Sequence, residues 1–389
     1  MIDIKAFWKQ WNKRTVSKAV RIFALSVGAT ALCMLGCLAF LSGSRHPKAL
    51  EASVFNGGRD YSSVSASVQT AAPAASQGSP GKVIPLGTAF GIKLFTDGVI
   101  VASLSDIYTD NGVCCPAADA GIQPGDYLLT ANGRDIPDNA ALAQYISSSL
   151  GEPITFQVRR GDQVLEVEVD PVFGGGSFKT GMWVRDSAAG IGTLTFYDPD
   201  SGLFAGLGHG ICDMDTSGVM ALKSGEPAPI TLSGIIKGEK NAPGQLRGYF
   251  SSDESLGTLL ANKETGVFGT LNNPPSGEAV EILSREEVHT GPVQLMVCLD
   301  ETGPQLYDGE IREIVNRDAQ TKNLVVQVTD PRLLEKTGGI VQGMSGCPIL
   351  QDGKLAGAIT HVFTEDPTSG YGIFAQVLWE ECQTCSDAN

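Results

Sequence analysis

The sequence predicts a multi-domain protein in which an N-terminal transmembrane helix precedes a small α+β domain and a larger, mostly β domain. The first observation is a stretch of 21 residues, Ile22 to Ser42, that carries no charge and is long enough to cross a bilayer once as a helix. The second is that residues 84–173 combine strand, helix and hairpin patterns. The third is that residues 174–389 contain many short apolar runs separated by glycines, a pattern typical of a β-barrel or sandwich.

The N-terminal charges indicate how the predicted helix is oriented. Residues 1–21 carry six basic side chains and one acidic side chain, which places the N-terminus in the cytosol and the bulk of the chain outside the membrane. A cleaved signal peptide is the alternative, but its apolar region usually spans only about 7–15 residues, which favours a retained anchor. Residues 43–83 are rich in Ser, Ala, Gly and Pro, so they are predicted to form a flexible tether that is open to proteolysis.

The charge and the scarcity of histidine exclude several classes of function. The net charge is −15, and because residues 1–21 carry +5 the remainder carries −20, which repels phosphate backbones and anionic lipid surfaces. We therefore expect no nucleic acid partner. The four histidines are scattered, so neither a metal site nor any other cofactor is predicted. An outside location permits disulfides, and Cys382 and Cys385 form a Cys-x-x-Cys pair.

Residues 84–173 contain the elements of one small mixed domain. The stretch FGIKLFTDGVIVASL predicts a strand broken by a Thr-Asp-Gly turn, Asp138 is placed to cap a helix, and PITFQVRRGDQVLEVEVDPV predicts a hairpin across Arg-Gly-Asp. With ADAGIQPGD at 118–126 followed by an Asn-Gly turn, the whole stretch resembles a bacterial PDZ domain. The resemblance implies that the domain binds an extended chain end as an added strand beside its helix.

The loop that receives the carboxylate of such a chain end is predicted near the start of this domain. The candidate residues are Ala89, Phe90, Gly91 and Ile92. The alternative is that these four residues simply begin a strand.

One loop in residues 174–389 is suited to present a nucleophile. After a predicted linker, GGGSFKTG, and several short apolar runs, the stretch GIVQGMSGCPILQDGKLAGAITHVF at 339–363 places Ser345 between two glycines and ahead of a hairpin. Gly343 and Gly346 allow a sharp backbone turn that points N–H groups inward. A serine nucleophile needs a base and donors for the developing oxyanion. The candidate oxyanion donors are the N–H groups of Gly343 and Ser345.

His209 is the best candidate for the base. It follows a predicted strand in AGLGHGICDMDT, flanked by glycines that leave its ring uncrowded. His46 lies in the tether, and His289 lies in a charged run, SREEVHTG, that is typical of a surface. A carboxylate that would orient the base is harder to choose, because Asp330, at the end of a predicted strand, and the two aspartates that follow His209 fit the spacing equally well.

Two long segments resemble the SpoIVB peptidases, the stage IV sporulation protein B family. They are GMWVRDSAAGIGTLTFYDPDSGLFAGLGHGICDMDT and TGGIVQGMSGCPILQDGKLAGAITHVFTEDPTSGYGIF, and the order of anchor, tether, PDZ domain and protease region is similar too. The resemblance implies a chymotrypsin-like serine peptidase whose catalytic residues are His209, Asp330 and Ser345. The chain departs from the family pattern at Cys212 and Cys347, and Cys347 is expected either to narrow the pocket or to join a disulfide.

His361 supports a separate hypothesis about the substrate. It ends the strand that follows the nucleophile hairpin, and in chymotrypsin-like proteases that strand lines the pocket for the residue before the scissile bond. Some members that prefer Glu or Gln there carry a histidine on this strand, so we predict that His361 contacts the substrate side chain. The alternative is a histidine that packs at the end of a strand.

Together these patterns predict a membrane-anchored serine endopeptidase that acts on proteins or peptides, itself included. The resemblance implies a place in sporulation signalling, in the forespore intermembrane space, where cleavage of a regulator triggers intramembrane processing of pro-sigma-K. One alternative is a non-catalytic PDZ adaptor, which the presence of His, Asp and Ser in triad order argues against. The other is an HtrA-like quality-control protease, in which the protease precedes the PDZ domain.

Overall fold

The computed structural model describes residues 81–385, which contain 24 strands and four helices. In chain order these are β1 (Lys82–Pro85), β2 (Ala89–Leu104), β3 (Ile107–Thr109), β4 (Gly112–Cys114), α1 (Pro116–Asp119), β5 (Tyr127–Ala131), β6 (Arg134–Asp135), α2 (Asn139–Ser148), β7 (Ile154–Arg160), β8 (Gln163–Val169), β9 (Val172–Gly174), β10 (Ser177–Lys179), β11 (Met182–Asp198), β12 (Leu203–Gly206), β13 (Ser224–Ala228), β14 (Ile230–Ile236), β15 (Gln245–Phe250), β16 (Gly257–Lys263), β17 (Gly266–Leu271), β18 (Val280–Glu281), β19 (Gly291–Cys298), β20 (Pro304–Ile314), β21 (Leu324–Val328), α3 (Pro331–Thr337), β22 (Pro348–Gln351), β23 (Lys354–Val362), β24 (Ser369–Phe374) and α4 (Ala375–Gln383).

The predicted basic segment and transmembrane helix, and most of the predicted tether, lie outside the described residues. Within residues 81–385, none of the helices combines the length and the apolar character needed to cross a membrane.

The last six strands close into a barrel, which we call the C-terminal barrel. Strands β19, β20, β21, β24, β23 and β22 follow one another around it with antiparallel pairing. Its interior is filled by aliphatic side chains such as Leu295, Val326 and Ile349, which are completely buried. Because successive side chains of a strand point to opposite faces, the short alternating runs of the sequence suffice to fill such an interior. The loop that leads into β22 carries Ser345.

A second layer of the predicted protease region is a sheet built from strands on both sides of the predicted PDZ segment, which we call the N-terminal protease sheet. The start of β2 pairs with the end of β11, and β12, β17 and β16 follow across the sheet. Phe90 on β2 and Phe204 on β12 are fully buried, and their ring centroids lie 6.3 Å apart in an edge-to-face contact. His209 lies just beyond the end of β12, so His209 and Ser345 come from two different β-layers.

The PDZ module is inserted into this sheet rather than placed before it. Strands β2 and β11 are unusually long, and they pair from the N-terminal protease sheet into the module, where β5, β7 and β8 extend the same sheet. The core of the module includes Val99, Leu128 and Phe156, all fully buried. The predicted domain boundaries at 84 and 174 therefore differ from the structure, in which the chain enters and leaves the module through one two-stranded ribbon, the β2–β11 ribbon.

Two local predictions in this region are wrong. The predicted Thr-Asp-Gly turn does not break β2, because Phe95 and Ile100 pair with Ser187 and Arg185 of the same partner strand and residues 96–99 form a bulge. The predicted linker at 174–181 forms the β9–β10 hairpin and leads directly into β11. By contrast, the predicted cap of α2 is confirmed, because the side chain of Asp138 accepts the N–H of Ala141 at 2.7 Å. The hairpin across Arg-Gly-Asp is also confirmed as β7–β8.

Candidate active site

His209 is brought to the C-terminal barrel by a tight turn after β12. Leu207 and Gly208 both adopt the left-handed backbone region, with φ of 65° and 68°. A Cβ atom at Gly208 would lie 2.8 Å from Cγ2 of Thr360 on β23. Glycine at this position therefore allows the turn to approach the strand that lies behind Ser345.

Ser345 is presented by the turn that the glycine pattern predicts. Gly343 and Gly346 have φ of 100° and 95°. Thr193 of β11 fixes this turn, because its N–H donates to the carbonyl of Ser345 and its hydroxyl donates to the carbonyl of Gly343, both at 2.9 Å. The N-terminal protease sheet thus sets the conformation of the nucleophile loop on the C-terminal barrel.

The hydroxyl of Ser345 and the imidazole of His209 each bind a main-chain carbonyl. Oγ of Ser345 donates to the carbonyl oxygen of Thr360 at 2.7 Å. Nδ1 of His209 lies 2.9 Å from the carbonyl oxygen of Gly210, and since a carbonyl only accepts, Nδ1 carries the proton. Nε2 is then the unprotonated nitrogen, as a general base requires. Burial of the ring lowers the pKa of His209 below its ordinary value, which favours the neutral form.

A cleft of about 680 Å³ opens at His209. Its walls include Ile191 of β11, Thr360 and His361 of β23, and the loop that follows His209. The rings of His209 and His361 lie with centroids 4.8 Å apart and planes tilted by 39°. Although His361 as a whole is exposed, burial of its ring and the charges of His209 and Lys322 lower its pKa to about 4, so it is neutral near pH 7.

Asp330 is not brought to His209. Its carboxylate caps helix α3 by accepting the N–H of Arg332 at 2.8 Å, and it also accepts the N–H of Asp308 at 3.2 Å. The guanidinium of Arg332 lies 2.7 Å from Oδ2, and this hydrogen bond is the main reason why the pKa of Asp330 is far below its usual range. Within the described residues, Asp330 neither bonds to His209 nor lines the cleft. Asp330, which family resemblance suggested as the catalytic carboxylate, caps a helix at the end of its strand.

The proposed oxyanion donors lie on the nucleophile turn. Within residues 81–385, no hydrogen bond uses the N–H of Gly343 or of Ser345 as its donor. The neighbouring amides differ, since Met344 donates to Val341 and Gly346 donates to Ile359. Two unoccupied donors on one turn match the need of a tetrahedral intermediate.

The predicted carboxylate loop of the PDZ domain is corrected by the structure. Ala89, Phe90, Gly91 and Ile92 lie within β2, in the middle of the N-terminal protease sheet. At Gly91 and Ile92 one edge of β2 pairs with β11 and the other edge pairs with β13. A strand with both edges paired cannot accept an added peptide strand, so these residues do begin a strand, as the alternative held.

A groove suited to a peptide lies elsewhere on the PDZ module, between α2 and the start of β11. It encloses about 780 Å³ and is lined by Ala143 and Ile146 of α2 and by Phe178, Met182 and Trp183. On the side away from β2, no described strand pairs with the first residues of β11. These residues of β11 lie after the predicted end of the PDZ domain at residue 173, so the sequence analysis did not assign them to the groove.

The cysteines that depart from the family pattern have separate environments. Cys347 is buried, its thiol donates to the hydroxyl of Thr193 at 3.5 Å, and burial raises its pKa to about 12. Cys212 is exposed on the loop after His209. The seven cysteines among the described residues are free thiols, so the Cys382–Cys385 disulfide is not formed here. No group of three or more potential metal ligands occurs in the described part of the chain.

A family model described as SpoIVB peptidase S55 matches residues 176–379, more than half of the 389 residues. The chain belongs to the SpoIVB peptidase S55 family. A PDZ domain model matches residues 111–160, so this S55 member is a serine peptidase that carries a PDZ domain. The S55 match begins before β11, and the strand that edges the PDZ groove therefore belongs to the peptidase segment. No curated protein matches the sequence significantly.

Several solved structures are similar to this S55 peptidase at low identity. The HtrA-type protease AlgW with a decapeptide is 14% identical, with a TM-score of 0.31, over 52% of this chain and 54% of that one. A serine-to-alanine variant of AlgW is 13% identical, with a TM-score of 0.33, over 56% of this chain and 56% of that one. An inactive-form mutant of Rv3671c from M. tuberculosis H37Rv is 11% identical, with a TM-score of 0.28, over 51% of this chain and 83% of that one. The S55 chain spans about half the length of the AlgW chains, and likeness at this level carries no information on substrate or partner.

Proposed function

We propose that this S55 peptidase is a membrane-tethered serine endopeptidase that cleaves protein substrates and its own tether. The observation that carries the proposal is that His209 and Ser345 lie against neighbouring residues of β23: the ring of His209 lies 4.8 Å from that of His361, and Ser345, on the glycine turn, donates to the carbonyl of Thr360. A catalytic serine needs this convergence of nucleophile, base and oxyanion donors. The order His209 before Ser345 along the chain is that of chymotrypsin-like proteases.

In the proposed mechanism, Ser345 first exchanges the carbonyl of Thr360 for Nε2 of His209 by rotation about its Cα–Cβ bond. Oγ then attacks the peptide carbonyl carbon while Nε2 takes the hydroxyl proton. The N–H groups of Gly343 and Ser345 stabilise the oxyanion. His209 returns the proton to the leaving amine, and water releases the acyl group from Ser345 by the same steps.

The test is a comparison of the full-length chain and variants in detergent micelles. A fluorophosphonate probe is expected to label the wild type at Ser345, and Ser345→Ala and His209→Ala are expected to abolish both labelling and self-cleavage. Ser217→Ala is the matched control, because Ser217 is an exposed serine that lines the cleft at His209, and the variant should label as the wild type does. Undiminished cleavage by Ser345→Ala would refute the proposal.

The cellular setting of this peptidase is proposed from the sequence and the family description. The uncharged run at 22–42 with its basic flank supports a single crossing, an N-terminus in the cytosol and a catalytic region outside the membrane. The SpoIVB description supports a role in sporulation signalling, with a regulator of pro-sigma-K processing as the substrate. Loss of pro-sigma-K processing in cells that carry Ser345→Ala in place of the wild type would be the expected result. Normal processing would remove the sporulation role while leaving the peptidase intact.

A second candidate function is the binding of a peptide carboxyl terminus in the groove beside α2. It is supported by the free edge of β11 at Met182 and Trp183, since an added strand can pair only with such an edge. The apolar lining, with Ile146, Phe178 and Met182, fits an apolar terminal side chain. The side chain of Asp186 accepts the N–H of Asn139 at 2.9 Å and ties the start of α2 to β11. This contact closes one end of the groove, so that only a few residues of a peptide fit in it.

Two exposed positions on α2 make a matched pair for testing the groove. Ala143 faces the groove, whereas Gln144 is exposed but does not line it. Ala143→Trp is expected to abolish binding of a fluorescent peptide with a free apolar carboxyl terminus, and Gln144→Trp is expected to bind normally. The amidated peptide should bind poorly to all forms. Equal binding by both variants would place the peptide elsewhere.

A further inference from the structure

A side chain on the strand that edges the PDZ groove reaches a loop beside the protease cleft. Arg185 lies on β11, two residues after Trp183, and extends to the loop of residues 211–220 that follows His209. Its Nη1 lies 3.2 Å from Oδ2 of Asp213, and its Nη2 donates to the carboxylate of Asp215. Arg185 therefore connects the strand that edges the PDZ groove to the 211–220 loop.

Asp213 organises the 211–220 loop from the inside. Its side chain is 0% exposed, and Oδ1 accepts three hydrogen bonds: from the N–H of Asp215 at 3.1 Å, and from the N–H and hydroxyl of Thr216 at 2.9 and 3.0 Å. A buried carboxylate is stable only when a positive charge or a full set of donors compensates it. Among the described residues, Arg185 is the cation that forms an ion pair with Asp213. The folded shape of the loop thus depends on Arg185.

The 211–220 loop forms one wall of the cleft that contains His209. The loop residues that line the cleft are Ile211, Cys212, Met214, Ser217 and Val219. Asn262 clamps both ends of the loop, because its side chain accepts the N–H of Ile211 at 2.8 Å and donates to the carbonyls of Ile211 and Met220. The wall is therefore held by Asn262 from the protease side and by Arg185 from the PDZ side.

A second contact confirms that the module braces this region. The hydroxyl of Tyr127, on β5 of the PDZ module, accepts the N–H of Ala221 at 3.0 Å, one residue beyond the loop. The ring of Tyr127 lies under the guanidinium of Arg159, 4.7 Å from its centroid. Tyr127 fixes the end of the loop, whereas Arg185 is the cation among residues 81–385 that pairs with the buried carboxylate of Asp213.

We propose that Arg185 is a positioning residue of the peptidase: by neutralising Asp213 it holds the 211–220 loop as the wall of the substrate cleft, and so joins the strand that edges the PDZ groove to the substrate-binding surface. The proposal rests on the peptidase function proposed above. Without Arg185, the uncompensated carboxylate of Asp213 turns toward water and the loop leaves its place beside His209. Substrate binding weakens, whereas Ser345 and its turn, which Thr193 holds, are untouched.

The chain offers its own reporter for the position of this loop. Cys212 is exposed on the loop, while the other six cysteines of the described residues are buried or half-buried. Its alkylation by iodoacetamide can be followed peptide by peptide by mass spectrometry in the full-length chain in micelles. In Arg185→Gln we expect the alkylation rate of Cys212 to rise about fivefold and KM to rise about tenfold, with kcat within about threefold of wild type. Arg185→Lys keeps the positive charge, so the alkylation rate of Cys212 and the value of KM should both stay close to those of the wild type.

Arg160 supplies the matched control. It binds Asp126, whose side chain is only 1% exposed, in a comparable ion pair of 2.6 Å within the PDZ module, away from the 211–220 loop. Arg160→Gln should therefore leave the alkylation of Cys212 and the value of KM as in the wild type. Asp213→Asn, added to Arg185→Gln, removes the buried charge and should lower the Cys212 rate again.

An Arg185→Gln variant with unchanged Cys212 alkylation and unchanged KM would overturn the proposal. The same changes in Arg160→Gln would overturn it too, because the effect would then come from general loosening of the module. Ser345→Ala distinguishes a failure of the proposed peptidase function from a failure of the positioning role proposed for Arg185. If Ser345→Ala still cleaves peptides, the peptidase function fails, while the Cys212 rates still decide whether Arg185 holds the loop.

Discussion

The hydroxyl of Ser345 donates to the carbonyl oxygen of Thr360 at 2.7 Å, on the strand whose next residue, His361, lies against the ring of His209. Ser345 and His209 thus lie against consecutive residues of β23, and each binds a main-chain carbonyl. A main-chain acceptor cannot take up a proton, so the proposed mechanism requires the Ser345 hydroxyl to leave the carbonyl of Thr360 and turn to Nε2 of His209. Substitutions that remove the hydrogen bonds and ring contacts around Ser345 and His209 should therefore change activity or stability.

The pKa of His209 predicts the acid side of the activity profile. Burial lowers this pKa below the ordinary value of about 6.5, and only the neutral ring acts as a base. The value of kcat/KM should therefore rise with pH through a midpoint below about pH 6.5 and then level off. Because a histidine with a lowered folded pKa also loses stability as pH falls, the melting temperature must be recorded at each pH. A midpoint above pH 7 in folded protein would contradict the burial argument.

Asp330→Ala tests whether this residue serves stability or catalysis. Loss of the helix cap and of the bond to Arg332 should lower the free energy of unfolding by about 1–2 kcal/mol, measured by urea denaturation. Asp330→Asn keeps a capping side chain and should cost less. Since the folded pKa of Asp330 is depressed, its contribution is present above about pH 4 and is lost as pH falls further. A kcat loss of more than about 100-fold with unchanged stability would show that Asp330 reaches His209 during catalysis.

His361→Ala tests the hypothesis that this ring contacts the substrate. The ring lines the cleft and is neutral at pH 7, so it can donate a hydrogen bond to a Glu or Gln side chain. In a panel of peptides that vary at the residue before the cleaved bond, the variant should lose about tenfold in preference between its best and other residues. His289→Ala is the control, because His289 is exposed and lies outside the cleft. An unchanged ranking would indicate that His361 only packs against His209.

Thr193→Val tests how the nucleophile turn is held. Valine keeps the shape of this buried side chain but removes the hydrogen bond to the carbonyl of Gly343, so stability should fall by about 1 kcal/mol and kcat by about tenfold. Thr265→Val is the matched control, since Thr265 is buried with a hydroxyl that has no partner among the described residues. Thr265→Val should leave the free energy of unfolding unchanged or raise it. Equal kcat in the two variants would mean that the turn keeps its shape without Thr193.

Much of the local structure could be predicted because it depends on neighbouring residues. The turn at Ser345 follows from glycines at 343 and 346, which alone adopt the required φ without strain. The cap at Asp138 and the hairpins at Arg-Gly-Asp and Asp-Gly-Lys depend on a few adjacent residues. His209, His361 and Ser345 were singled out by their surroundings in the sequence; the two rings lie 4.8 Å apart, and Ser345 binds the carbonyl of Thr360, the residue before His361.

The long-range arrangement could not be predicted in the same way. Asp330 was chosen by family resemblance, but a neighbouring arginine, Arg332, competes for its carboxylate, and the sequence does not reveal which interaction prevails. The bulge at 96–99 looks like a turn, because Thr-Asp-Gly suits both, and only pairing with the distant β11 decides between them. The incorrect prediction of a PDZ carboxylate loop at Ala89 to Ile92 has the same origin. Both edges of that strand are covered by segments about 100 or more positions further along the chain.

The insertion of the PDZ module also fixes an order of events during synthesis. Because the polypeptide leaves the N-terminal protease sheet at β2 and returns only with β11, the ribosome must complete the whole module before that sheet can close. His209 and then Ser345 emerge later still. The proposed nucleophile and base therefore cannot come together until the C-terminal barrel has been synthesised.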